Sequence, residues 1–538
     1  MILSAAFYLL SALSGTYAVS IGPEGHLAIV NKHISPDGYT RSAVLPGGTF
    51  PGPLIRGNKG DRFSINVEDQ LKDTSMEVDT SIHWHGIFQH GTNYEDGVAM
   101  VTQCPIIPGD SFKYEFDSGK QAGTYWYHSH LSTQYCDGLR GPLVIYDPND
   151  PAKHLYDYDD ESTVITLADW YHYPASQNDM TKAAAANSTL INGLGRYEGG
   201  PLTPLAVISV HHGKRYRFRL ISMSCDPNFL FNIDGHSFTV IEADGVNTKP
   251  YTVDAIQIYA GQRYSFVLNA NQPVSNYWIR AQPLEPGLNQ GFVNATNSAI
   301  LRYADAPKVD PKTNSSIKNP LVESSLHPLA RMPVPGKPGR GNADLNVQLT
   351  INIDFTTFLW TLTGQSCTGS HCSSTPLAEL NSTTYVSPPT PVLLQILNGA
   401  RTAQELLPNN NLLQLEPNQV VEVSFVGGSI GAPHPFHLHG HNFWVVRSAG
   451  NDTYNYEDPI VRDVISTGDN TTDLPTIRFV TDNAGPWFLH CHIDWHLQSG
   501  LALVFAENVP GIGKEKPPVA WDNLCPTYQT SLNHTQAH

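Results

Sequence analysis

Short runs that alternate apolar and polar residues recur along the whole chain. RFSINVED (Arg62 to Asp69), YRFRLIS (Tyr216 to Ser222), FTVIEADG (Phe238 to Gly245), RYSFVLNA (Arg263 to Ala270), VEVSFVGG (Val421 to Gly428) and LALVFAEN (Leu501 to Asn508) are examples. A period of two puts every second side chain on the same face of a strand. Many short strands separated by Gly, Pro, Asn and Asp turns predict an all-β protein built of sandwiches or barrels. The 43 Gly and 40 Pro fit that reading. Helical periodicity is scarce, and only HIDWHL (His492 to Leu497) reads as a short helical turn. The stretch from about Asp305 to Ala343 is rich in Pro, Ser and Lys and reads as a linker.

The chain repeats itself. AGTYWYHSH (Ala122 to His130) aligns without a gap on AGPWFLHCH (Ala484 to His492), and Gly138-Leu139 then falls on Gly500-Leu501. FNIDGHSF (Phe231 to Phe238) matches FHLHGHNF (Phe436 to Phe443), with SIHWHG (Ser81 to Gly86) as a shorter echo. Three related units follow: 19–150, 151–320 and 321–538, the last opening with the linker to about 343. The middle copy has Asn232 and Asp234 where the last has His437 and His439. Any cluster built on the repeated histidines therefore belongs between the first and third units.

Those histidines carry the chemistry. Four His-x-His pairs occur: His83/His85, His128/His130, His437/His439 and His490/His492. At strand spacing both rings of a pair share a face. Eight imidazoles suffice for two metals with three nitrogens each and a third with two, which keeps positions open for water or dioxygen. One such pair is weak evidence, since two histidines on a strand face are often merely exposed. Four pairs, one of them holding a cysteine, are hard to explain that way. Zinc has no redox chemistry and normally completes one compact tetrahedron. In His490-Cys491-His492 the thiol faces away from both rings, so one strand touches two metal sites. His434 and His496 can approach Cys491 to give a His₂Cys blue-copper set. Leu501, ten positions after Cys491, cannot coordinate; at an axial position it would leave the copper three-coordinate and its potential raised.

HWHGIFQ, TYWYHSH, HPFHLHGH and HCHIDWH, in this order and spacing, resemble the copper-binding signatures of the multicopper oxidases, and among them the fungal laccases. The resemblance covers essentially the whole chain. It implies three cupredoxin-like Greek-key domains and four copper ions. It places His434, Cys491 and His496 on a type-1 copper and His83 and His437 on a type-2 copper. His85, His128, His130, His439, His490 and His492 go to a type-3 pair. The implied reaction takes single electrons from phenols or aromatic amines near His496 and reduces dioxygen to water. Under the resemblance Asp226 matches the acid that grips a phenol hydroxyl; by itself it is a turn residue before Pro227. Asp96 matches the acid that handles protons for dioxygen, and as Asp-Gly it equally suits a turn. Gln498 replaces a glutamate common in relatives, leaving Asp494 as a hydrogen-bond partner for a ligand histidine. The resemblance pairs Cys104 with Cys525 and Cys136 with Cys225. Cys367 and Cys372 stand outside the common pattern; they can close a small loop or, with His371, bind metal.

Composition narrows the partners. A net charge of −17, from 32 basic and 49 acidic residues, suits neither nucleic acid nor anionic membranes. Met1 to Ala18 resembles a signal peptide, although its start lacks Lys or Arg. No later apolar run is long enough to span a bilayer. Seven cysteines, and glycosylation sequons at Asn187, Asn294, Asn314, Asn381, Asn451, Asn470 and Asn533, fit a secreted glycoprotein, with a monomer as the default expectation. Two other readings stand beside the oxidase of phenols. A ferroxidase needs acidic residues around His434 and His496, and none is evident there. A plain copper or electron carrier needs only one copper, which the full set of histidines argues against.

Overall fold

The computed structural model of the protein describes residues 20–182, 184–284, 291–408, 410–431 and 433–536. The expected leader, Met1 to Ala18, lies outside the described residues. Six sheets form, two in each of three successive stretches of chain. They are mixed and open, so of the two all-β forms the pattern allowed, the sandwich is the one adopted.

One sheet of each stretch has the same order. A short edge strand (Ile55–Asn58, Val207–Val210, Leu412–Leu415) pairs in parallel with Arg140–Tyr146, Ser298–Tyr303 or Ala502–Glu507. That strand pairs antiparallel with Gly123–Ser129, Asn276–Pro283 or Gly485–Cys491. Next come Ile82–His85, Phe229–Ile233 or Pro435–Leu438. The repeats in the sequence thus reflect one strand order used three times. Where the third stretch sets His437 opposite His490, the second sets Asn232 opposite Arg280. Asp234 then binds Arg280 at 2.7 Å, so an ion pair occupies the middle copy where the outer copies carry imidazoles.

The Gly485–Cys491 strand is buried along its whole length. Its alternate residues enter two different cores. Trp487, Leu489 and Cys491 belong to a core made mainly of the second and third stretches, and Phe488 to a core shared by the first and third. The strand period therefore decides which of the two cores each side chain enters. The Val519–Gln536 helix returns to the first stretch, where Trp521 Nε1 donates to the Thr102 carbonyl at 3.0 Å and Cys104–Cys525 forms a disulfide. Cys136–Cys225 joins the first and second stretches. Cys367 and Cys372 are bonded to each other across a hairpin, which removes the metal alternative for that pair.

Candidate metal centre

Two strand pairings assemble the histidines. His83 lies opposite His128, and His437 lies opposite His490. The two pairs meet face to face between the first and third stretches. His83, His85 and His437 form one group whose ring nitrogens lie within 4.8 Å of one another. His85, His128 and His492 form a second, and His130, His439 and His490 a third. All eight rings are buried.

The hydrogen bonds leave these rings with nitrogens directed inward. His128 Nδ1 lies 2.8 Å from the Ser129 carbonyl, and His490 Nδ1 lies 2.9 Å from the Cys491 carbonyl. A carbonyl only accepts, so Nδ1 carries the proton and Nε2 keeps a lone pair. His83 and His437 follow the same rule through the Asp96 and Asp463 carbonyls, at 2.8 Å and 2.9 Å. The Nε2 atoms of His83, His128, His130 and His437 are buried without a protein partner. Buried polar atoms are otherwise almost always paired. Burial, and then the neighbouring imidazoles, pushes His85, His128, His130, His437 and His439 well below the usual histidine range. Neutral imidazoles with inward lone pairs fit copper or zinc ions.

On the other face of the strand, Cys491 Sγ lies 3.7 Å from His434 Nδ1 and 3.7 Å from His496 Nδ1. The two nitrogens are 3.1 Å apart. His496 rides on the short Asp494–Gln498 helix and is only partly buried, whereas Cys491 and His434 are enclosed. Leu501 is fully buried beside them: Cys491 N–H donates to its carbonyl at 3.1 Å and its own N–H donates to the His496 carbonyl at 3.0 Å. The counterpart Ser129 N–H donates to the Leu139 carbonyl at 3.0 Å. The same turn therefore lies beside Ser129 in the copy without the thiol.

Asp96 is buried against the cluster, with one oxygen 2.9 Å from His439 Nδ1 and the other 3.2 Å from His83 Nδ1. Its Asp-Gly turn is real too. Gly97 sits at φ 79°, and a Cβ there would lie 1.7 Å from the Ile82 carbonyl oxygen. Asp226 lies one residue past Cys225, whose carbonyl accepts from Asp494 N–H at 2.7 Å at the start of the His496 helix. Asp494 is buried and its carboxyl is raised by burial. Among the described contacts it bonds no ligand histidine, contrary to the sequence expectation. That place is taken by Asp463, 3.3 Å from His85 Nε2 and bound to both terminal nitrogens of buried Arg263 at 2.6 and 2.7 Å. Gln498 is exposed, and Ser132 Oγ donates to it at 3.3 Å.

Sequence reasoning missed Asp463, because nothing local ties DPIVRDV to a histidine far away in the chain. It also missed Trp360, whose ring centre lies 4.4 Å from His496 and 5.0 Å from His434. Trp360 N–H donates to the Ser499 carbonyl at 2.9 Å, which ties the ring to the turn that carries Leu501.

Family models described as multicopper oxidase match residues 28–150, 161–306 and 385–511. Laccase-2 of Pleurotus ostreatus is 57% identical over 96% of this chain and 95% of its own length. Laccase-2 of Trametes versicolor is 54% identical, with 97% of each chain covered. Among solved structures, the laccase from Botrytis aclada superimposes with a TM-score of 0.77 at 32% identity, covering 97% of this chain and 94% of that one. Fet3p, a multicopper oxidase that functions in iron import, gives 0.78 at 26% identity, with 94% of each covered. With three matched models in register with three repeated strand orders, and its histidines gathered where the outer two meet, the chain belongs to the multicopper oxidase family.

Proposed function

We propose that the protein is a laccase of phenols and aromatic amines, and that His434, Cys491 and His496 hold its type-1 copper. His83 and His437 hold the type-2 ion. His85, His128 and His492 hold one type-3 ion, and His130, His439 and His490 hold the other. When bound, the four coppers supply one-electron oxidation of the reductant and four-electron reduction of dioxygen to two waters. The observation that carries this reading is Cys491. Its thiol faces the partly buried His496, and its two chain neighbours face the buried cluster. The peptide on either side is thus a covalent path from the reductant's site to the oxygen site.

The remaining residues have defined tasks. His496 offers its edge to the reductant, which needs no route to the interior. Asp226 accepts the phenol proton as the electron leaves, avoiding a high-energy radical cation. Asp96 orients His83 and His439 and hands protons toward the oxygen site. Leu501, buried beside Cys491 and His496, would offer a copper held there methyl groups and no ligand atom. Trp360 walls the approach to His496. Domain boundaries at 19–150, 151–320 and 321–538, a cleaved leader, secretion, a monomeric state and glycans on the sequon asparagines complete the proposal. Six of those asparagines are exposed and Asn451 is half-buried. No helix of the described residues is long and apolar enough to cross a membrane.

Fet3p's likeness favours a second reading, oxidation of a metal ion. That needs carboxylates at the rim of His434 and His496. Trp360 and Gly431, next to exposed Ile430, lie against that rim and bring no carboxylate to it. Copper counting together with dioxygen uptake on a phenol and on ferrous iron separates the readings. About four coppers per chain and uptake with the phenol are expected. Fewer coppers, or uptake with iron alone, would sink the laccase proposal. A Cys491→Ser chain should lose its blue colour and its phenol oxidation together while keeping the cluster coppers.

A further inference from the structure

Asp169 lies one residue before the end of the buried Val164–Trp170 strand of the second stretch and is fully enclosed. Its carboxylate accepts four hydrogen bonds. Cys225 N–H and Arg140 Nη1 donate to one oxygen at 2.9 and 3.0 Å. Asp226 N–H and Tyr171 O–H donate to the other at 3.2 and 2.9 Å. Two of these donors are the main chain of Asp226 and of the residue before it. The Tyr171 oxygen in turn accepts from Trp495 Nε1 at 3.3 Å, the neighbour of His496. The Cys225 carbonyl accepts from Asp494 at the start of the same helix. One carboxylate therefore clamps both the peptide of the proposed proton acceptor and the helix of the proposed electron entry.

We infer that Asp169 is a positioning residue for phenol oxidation, holding Asp226 and His496 at a fixed separation. It touches neither substrate nor metal. The inference rests on the reading of Asp226 as proton acceptor. A charged acceptor with four donors is rigid, because charge-assisted bonds are shorter and stronger than neutral ones. Asparagine at this position keeps the shape but turns one acceptor oxygen into an NH₂ group. That group would face the Asp226 N–H or the Cys225 N–H as donor against donor, and the loop would shift.

The test compares two reductants on the copper-loaded protein at high salt. One is 2,6-dimethoxyphenol, which must lose a proton with its electron. The other is hexacyanoferrate(II), which has none to lose. For Asp169→Asn, kcat/KM on the phenol should fall about tenfold, since small misplacements of a reacting group are costly. Activity on hexacyanoferrate and the blue absorption should change less than about twofold. Asp226→Asn serves as the reference and should show the same selective loss. Equal losses on both reductants in Asp169→Asn, or none on either, would overturn the inference while a selective Asp226→Asn leaves the base reading intact. A non-selective Asp226→Asn would overturn the base reading itself. Should Asp169→Asn fail to fold, Tyr171→Phe removes one donor to Asp169 and, with it, the acceptor of Trp495 Nε1 on the same helix. It should give a smaller loss confined to the phenol, and a loss shared by both reductants would count against Asp169.

Discussion

Single atoms set the strength of this oxidant. The donor atoms of Cys491, His434 and His496 lie within 4.8 Å of one another, and buried Leu501, which has no donor atom in its side chain, is hydrogen-bonded through its backbone to Cys491 and His496. A weak axial thioether stabilises oxidised copper, and its lack favours the reduced ion. Leu501→Met should therefore lower the potential, read by redox titration of the blue absorption, with dioxygen uptake on easily oxidised phenols retained. An unchanged potential would mean that Leu501 is not axial. This prediction was legible in the spacing from Cys491. The partner of His85 was not. Asp463 reaches His85 only through folding and is held there by Arg263, with both groups fully buried. Removing one member of such a pair leaves a buried charge uncompensated. Asp494, next to the motif in sequence, was the natural candidate and lies against other groups.

At the scale of elements, the site depends on two strand pairs and the turns that fix their register. The Ile82–His85 strand carries two of the eight histidines. Gly97 packs its bare Cα against the carbonyl of Ile82, one residue before His83. A methyl group there cannot fit without moving the strand, and the positive φ adds strain for any side chain. Gly97→Ala should lower the copper content of the cluster and slow dioxygen reduction, while the blue absorption near Cys491 persists. Metal analysis beside the blue absorption checks this; a full copper count in the variant would show that the strand tolerates the shift. The alternation of apolar and polar residues predicted such strands, and the short helix at Asp494–Gln498 was also readable. The hairpin of Leu359–Thr368 and His371–Pro376 was not. Its Trp360 lies beside His496 because of how the sheet folds over, which the local pattern does not encode.

Over the whole molecule, the cluster is a seam. His83, His85, His128 and His130 come from the first stretch and His437, His439, His490 and His492 from the third, so ions held there tie two ends of the chain together. Anything that binds only the folded state stabilises it, by about 4 kcal/mol when free ligand is a thousandfold above Kd. Copper removal should therefore lower Tm, and re-addition of copper should restore it, measured by calorimetry at constant pH. An equal Tm with and without copper would mean that the ions do not bridge the units. The Cys104–Cys525 disulfide closes the chain over the same pair of units, with a sequence separation of 421. In the chain-entropy picture a loop so long restrains the unfolded state by about 6 kcal/mol.

By itself the sequence determined the strand class, the three repeats, the candidate ligands and the expectation that Cys491 faces away from its two histidine neighbours. Each of these rests on a period of two or on residues a few positions apart, where the geometry of an extended chain is already known. Only the tertiary structure decided which carboxylate holds His85, what walls His496, and that Asp169 clamps Asp226 to the helix of His496. Those contacts join residues tens to hundreds of positions apart. They arise when buried polar groups must find partners in a packed interior, and no local pattern records which partner that will be.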